Sequence, residues 1–168
     1  MKITKLFTSL IVGACLAVSA FAQEKDIVDT AVGAGKFKTL VALVQKAGLV
    51  DVLKGKGPFT VFAPTDAAFA KLPKALVDKV VNDKALLTKI LTYHVLAANV
   101  MSTDLKDKLK AKTVQGEEIV VRIKGKTVRF NKSNLVTADI KTSNGVIHVI
   151  DTVLLPPSVV KALAKSHH

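Results

Sequence analysis

The chain has 168 residues, 49% apolar and 23% charged, with seven Phe, one Tyr, no Trp, a single Cys and a formal charge of +12. This balance suits one globular domain and excludes a disordered or collagen-like chain. Cys15 falls in an N-terminal export segment, so the mature domain has no disulfide scaffold, thiol nucleophile or cysteine zinc site.

Lys2 and Lys5 open the chain, residues 6–18 are apolar, and Ala20-Phe21-Ala22 forms an A-x-A site before Gln23. That tripartite pattern predicts a cleaved secretory signal over residues 1–22 and a single domain over 23–168. A membrane anchor is the alternative, but the apolar stretch is short for a span of about 20 residues. Lipidation of Cys15 within Val12-Gly13-Ala14-Cys15 is another, and the apolar residues that follow Cys15 argue against it. No later segment is long enough to span a bilayer, which predicts an exported protein, periplasmic or extracellular. A domain of about 146 residues buries roughly 68% of its unfolded surface, enough for an unstapled core.

Loss of Lys2 and Lys5 would leave 23 basic residues against 13 acidic ones, and Arg122 and Arg129 are the only arginines. A nucleic-acid reader favours Arg forks and aromatic platforms. Lysine dominance, export and scarce aromatics argue against that partner. The basic surplus is either a solvated surface or a field that attracts anionic polymer, such as acidic polysaccharide or lipid headgroups.

In chain order, residues 26–34 read as a short helix. Residues 36–47 form a clearer one, with Phe37, Leu40, Val41, Val44 and Ala47 in one stripe and Gly48 closing it. Residues 49–53 are a short helix or turn, and Gly55 and Gly57-Pro58 break the chain. Residues 59–63 form a β segment stopped by Pro64. Thr65 and Asp66 cap a short helix reaching Phe69. Pro73 starts a helix to Val81, and Asn82 or Asp83 caps another over 84–91. Residues 93–96 look extended, and Ser102-Thr103-Asp104 opens a turn or short helix.

From Lys112 the period switches to two, which predicts strands over 113–115, 119–124, 127–131 and 146–153. Gly125-Lys126 suits a two-residue hairpin turn. In that register Ile123 faces Val128 and Val121 faces Phe130 on the buried side, while Arg122 sits opposite Arg129 on the other. Directly opposed like charges cost a few tenths of a kcal/mol or more. Solvent and nearby acids relieve that cost, or an anion does. Residues 158–165 form a closing helix. Helices lead and a β-rich half follows, without internal repeat or linker, which predicts one α+β domain.

The chain has no Gly-x-Ser-x-Gly elbow, no phosphate-cradling glycine loop and no His-Glu-x-x-His helix. His167 and His168 lie at the extreme C-terminus. His94 and His148 lack a second ligand at metal spacing, so each is expected to be a hydrogen-bonded structural histidine. No catalytic residue, metal or cofactor is nominated.

Three segments carry a resemblance. GPFTVFAPTDAAF at residues 57–69 resembles the first signature of fasciclin (FAS1) domains, and NGVIHVIDTVLLP at 144–156 resembles the second. Between them, Tyr93-His94-Val95 is similar to the family's Tyr-His element. In these signatures Phe59, Val61 and Phe69 are expected in the core, and Asn144-Gly145 as a turn pair tolerating positive φ. The resemblance covers about residues 24–156. It implies a wedge of two β-sheets flanked by several helices, with Thr65, Asp66, His94, Asn144 and His148 in structural hydrogen-bond networks. It also implies an adhesion or matrix module. In animal members the Asp-Ile dipeptide and the Tyr-His neighbourhood are proposed integrin contacts, which match Asp139-Ile140 and Tyr93-His94 here. The chain departs from that pattern at Thr137-Ala138, where such members have a Glu-Pro-like lead-in. Asp139 reads first as a turn residue, and Tyr93 and Ile140 as core.

The expectation is therefore a secreted, non-catalytic module that contacts cell-surface or matrix proteins or acidic polysaccharides. Its candidate binding residues are Tyr93, His94, Asp139, Ile140, Arg122 and Arg129. The alternative is a carrier or sensor that holds a small apolar ligand between sheet and helices.

Overall fold

Helices form wherever an apolar stripe meets a cap. The structure is a computed structural model that describes residues 25–165, so the segment expected to be an export signal, with Cys15, and the terminal His167 and His168 lie outside the described residues. Helix α1 (Ile27–Ala34) starts where the Asp26 carboxylate accepts the Asp29 N–H at 2.8 Å. Helix α2 (Lys38–Ala47) turns Leu40, Leu43, Val44 and Ala47 inward and stops at Gly48, whose φ of 75° favours glycine. Helix α3 (Val50–Leu53) is a single turn before strand β1 (Phe59–Pro64). The Thr65 hydroxyl accepts the Ala68 N–H and opens α4 (Asp66–Ala70). Pro73 precedes α5 (Lys74–Asn82), and Asp83 caps α6 (Lys84–Tyr93) through the Leu86 N–H at 3.1 Å.

After β2 (Val95–Leu96) and a 3₁₀ turn at Ser102–Asp104, the chain runs through five strands. These are β3 (Lys110–Lys112), β4 (Glu118–Lys124), β5 (Thr127–Phe130), β6 (Ser133–Thr142) and β7 (Gly145–Ile150). Helix α7 (Pro157–Lys165) follows. The strand order is β2-β1-β7-β6-β5-β4-β3, with β1 and β7 parallel and the other pairs antiparallel.

This order folds back on itself. Phe62 of β1 and Phe130 of β5 have two strands between them in the order, yet their ring centroids are 4.4 Å apart. The Val95 carbonyl of β2 also accepts the Val114 N–H just past β3, at 2.8 Å. The sheet is thus a nearly closed wedge with two facing limbs, an α+β fold. Phe62, Tyr93, Ile119, Val121, Phe130 and Ile150 fill the space between the limbs. Val61, Ala63, Ile147 and Val149 on the other face of β1 and β7 pack against the helices. Burial on both faces explains why these two strands read as continuous apolar runs.

Several elements differ from the sequence reading. Residues 93–96 are not one extended segment: α6 continues through Tyr93, whose ring drops between the limbs, and His94 ends it. The strand expected at 113–115 is a turn, because the Thr113 N–H and hydroxyl both bond the Glu117 carbonyl, at 3.0 and 2.7 Å. The last strand stops at Ile150 rather than Val153. Phe59 and Phe69 are only half-buried. Strand β6 was not anticipated. Its register shifts between Leu135 and Thr137 and again between Thr137 and Ile140, around Asp139 with φ 58°, which erases a clean two-residue period. Asn144 and Gly145 do not adopt positive φ. Glycine is required at 145 because a Cβ there would lie 1.9 Å from the Phe59 carbonyl oxygen of the adjoining strand.

Candidate functional site

Strand alternation builds the most distinctive surface. On β4, Ile119 and Val121 are buried, while Glu118, Arg122 and Lys124 are exposed. Register carries this alternation to the neighbours. Lys110 pairs with Val120 and Lys112 with Glu118 on β3, and Arg129 pairs with Arg122 on β5. The outward positions of β3-β4-β5 therefore present Lys110, Lys112, Arg122, Lys124 and Arg129, all exposed, with the carboxylate of Glu118, while the exposed Asp107 carboxylate accepts the β4 Ile123 N–H at 2.9 Å. Glu118 lies 3.8 Å from Lys110. The Arg129 Nε donates to the neutral Asn134 side chain at 2.8 Å, which fixes that guanidinium without neutralising it. Charges on adjacent strands of such a face are about 5 Å apart and those along one strand about 7 Å.

Of the predicted binding residues, the hairpin pair Arg122 and Arg129 lies on this face. The others do not join it. Tyr93 is fully buried; its hydroxyl donates to the Glu118 carbonyl at 3.0 Å and accepts from the Asn131 amide at 2.7 Å. His94 is 2% exposed. Burial removes both from surface contact. Asp139 turns its carboxylate onto the Ser102 N–H at 2.7 Å and the Ser102 hydroxyl. These bonds, the hydroxyl first, hold its pKa below the usual carboxylate value against the cost of burial. Ile140 is half-buried against the helix-side core. Lys110, Lys112 and Lys124 were missed as site residues. The alternation Lys108-Leu109-Lys110-Ala111-Lys112 carried the signal for the first two.

The network residues serve the scaffold. His94 Nδ1 donates to the Ile90 carbonyl at 2.7 Å, and its Nε2 accepts the Leu154 N–H at 2.9 Å. His148 is the opposite tautomer: Nε2 donates to the Val100 carbonyl at 2.7 Å and Nδ1 accepts the Asp139 N–H at 3.3 Å. Burial drives the pKa of His94 down to about 4 and also lowers that of His148, against the pull of their carbonyl partners. The Asp66 carboxylate accepts the Thr39 N–H at 2.8 Å and so tethers α4 to the start of α2. The Asn144 side chain accepts the Ile27 N–H and donates to the Leu53 and Gly55 carbonyls. Among the described residues, no three His, Cys, Asp or Glu side chains converge to hold a metal ion.

A void between the helices and the sheet is lined by apolar side chains including Ile27, Leu40, Val44, Phe59, Val61 and Ile147, and measures about 50 Å³.

Comparison with known proteins settles the family. The Fasciclin domain profile matches residues 35–156. This chain belongs to the fasciclin family. It is 42% identical over 146 residues to Protein sll1483 of a Synechocystis strain, covering 86% of this chain and 81% of that protein. It is 42% identical over 110 residues to the cell surface glycolipoprotein MPB83 of Mycobacterium bovis, covering 66% of this chain and 49% of that one. A solved FAS1 domain pair from the insect cell adhesion molecule Fasciclin I superposes with a TM-score of 0.58 at 20% identity, over 73% of this chain and 46% of that pair. The fasciclin wedge is thus the fold of this chain. Relatives include a cell-surface protein and, by fold, an adhesion molecule. Among the described residues no helix is long and apolar enough to cross a membrane.

Proposed function

We propose that this fasciclin domain is a secreted, non-catalytic adhesion module that holds acidic polysaccharide of an envelope or matrix against the outer face of β3-β4-β5. The observation that carries this reading is the excess of cation there, five exposed cations against the carboxylates of Glu118 and the adjoining Asp107. Their close spacing lets one polymer segment meet several cations at once. An anion lying over the hairpin also relieves the direct opposition of Arg122 and Arg129. An export signal over residues 1–22, expected from the sequence, would put the domain where such polymers occur. Relatives at the cell surface and in cell adhesion fit the same reading.

Two observations weigh against the other classes. Both ring nitrogens of His94 and of His148 are engaged by backbone groups, which leaves neither ring as a general base. The apolar void of about 50 Å³ is a third of the roughly 150 Å³ that admits benzene, so the packed domain holds no sizeable apolar ligand.

Retention on immobilised polygalacturonate tests the proposal. Retention is expected to fall steeply as ionic strength rises from about 0.05 to about 0.5 M. The double variant Arg122→Ala/Arg129→Ala is expected to weaken it at least several-fold, and Arg122→Lys/Arg129→Lys to keep most of it. Retention indifferent to salt, or equal in the alanine variant, would overturn the proposal.

A further inference from the structure

A second surface differs in kind from the flat basic face. The turn between β6 and β7, the Lys56-to-Pro58 segment before β1 and the loop around Asn99 enclose an open concavity of about 380 Å³. Lys56 and Lys141 line it, and no acidic residue does. Both lysines are exposed, and neither forms an ion pair among the described residues. Asp139, two residues before Lys141, bonds Ser102 rather than Lys141, and the lysine charge adds to what holds its pKa low. Asn99 and Ser143 add a side-chain amide and a hydroxyl, both exposed and free of hydrogen bonds from those groups to the described residues. The exposed Pro58 supplies an apolar part of the wall. The walls are rigid: Asn144 is bonded to three backbone groups of α1 and the α3 region, and Gly145 is pressed against Phe59.

Cations, unpaired hydroxyl and amide groups, and an apolar surface in one rigid hollow form the combination that a carboxylated sugar needs. Its ring has an apolar C–H face, hydroxyl edges and one anionic group. The geometry points to this hollow as a specific site for a uronate-type sugar residue, distinct from the β3-β4-β5 face. Lys56 and Lys141 would take the carboxylate, Asn99 and Ser143 the hydroxyls, and Pro58 the ring face. The inference rests on the reading that the partner is acidic polysaccharide, but it engages residues that the flat face does not use. The face gathers polymer by summed charge, and the hollow reads the sugar unit.

Residue-resolved shifts separate the two sites, because the amides of the hollow and those of β3-β4-β5 each report their own surface. The full domain, labelled with ¹⁵N, is titrated with trigalacturonate, with its methyl ester and with acetate. Saturable shifts at the amides of Asn99, Ser143, Gly145 and Val146 are expected with trigalacturonate alone. The double variant Lys56→Ala/Lys141→Ala is expected to lose at least tenfold in affinity for it. These lysines are exposed, so the variant keeps its fold, which an otherwise unchanged amide spectrum verifies. The Arg122→Ala/Arg129→Ala variant should bind trigalacturonate as well as the parent does, even where its polymer retention has fallen. Equal shifts with acetate would reduce the hollow to a general anion site, and equal binding of the methyl ester would remove the role of the lysines. Either result, shifts mapping outside the hollow, or none at millimolar trisaccharide, would overturn the inference.

Discussion

Gly145 shows how a single position can be fixed by contact rather than by conformation. Its backbone is not left-handed, so other residues could adopt its dihedral angles. What excludes them is the parallel partner strand: a Cβ at 145 would lie 1.9 Å from the Phe59 carbonyl oxygen and 2.9 Å from the Phe59 nitrogen. These are backbone atoms of the first pair of the β1–β7 ladder, and they cannot yield as a flexible side chain would. Gly145→Ala is therefore expected to destabilise the domain by at least about 3 kcal/mol, read as a lowered urea midpoint. Gly33, inside α1, is the contrast. A Cβ there would come no closer than 3.7 Å to anything, and only to the end of Lys25. Gly33→Ala is expected to stabilise by about 0.5–1 kcal/mol, because it restores helix propensity. Equal effects at the two sites would show that the close approach of β7 to β1 does not decide residue 145.

At the scale of elements, the β4–β5 hairpin was the most legible part of the chain. Its two strands alternate cleanly around Gly125-Lys126, and the observed pairs Val121–Phe130, Arg122–Arg129 and Ile123–Val128 are those the alternation requires. Register follows from burial there, since a slip of one residue would bring both arginines inward. Strand β6 was illegible for the converse reason: two bulges and a left-handed Asp139 break the period, and partners on β5 and β7 supply what the local sequence does not. Helix α6 ran past its expected end because Tyr93 packs between the limbs, a tertiary contact without local signature. The candidate face divides along the same line. Its arginine pair was readable from the hairpin, whereas Lys110 and Lys112 were hidden by placing the preceding strand three residues too late. The hairpin also permits a test of whether its charge pattern serves binding over stability. Arg122→Thr removes a like-charge opposition and places a β-branched residue on an exposed strand position, while Arg129 keeps its bond to Asn134. The expected outcome is a gain of about 0.3–1 kcal/mol in unfolding free energy together with weaker retention on polygalacturonate. Loss of stability in this variant would show that the opposed pair is not a cost to the fold.

On the scale of the whole molecule, two buried histidines join parts that the strand ladder leaves separate. His94 links the end of α6 to the segment after β7, and His148 links β7 to the loop at Val100 and the bulge at Asp139. Each link needs a neutral ring, since one nitrogen of each accepts from a backbone N–H and would lose that bond on protonation. The pKa of His94 in the folded domain is about 4, against 6.5 for the ordinary side chain. A folded pKa below the unfolded one means that the unfolded chain binds the proton more readily. The contribution is therefore complete above pH 6.5 and is lost as pH falls toward 4, amounting to on the order of 3 kcal/mol for His94. His148 is shifted in the same direction and acts in the same sense. Asp66 and Asp139, held low chiefly by bonds from Thr39 and Ser102, extend the loss further, as pH falls below the ordinary carboxylate value of 3.8. The melting temperature should thus be level above about pH 7 and decline steadily through the histidine window before the carboxylates take part. His94→Gln cannot titrate there. It is expected to melt lower than the parent at neutral pH, because Gln fills the site less well, but to lose less between pH 6.5 and 4 than the parent does. A parent melting temperature that stays level down to about pH 4.5, or an equally steep decline in the variant, would show that the buried rings do not couple the two cores to pH.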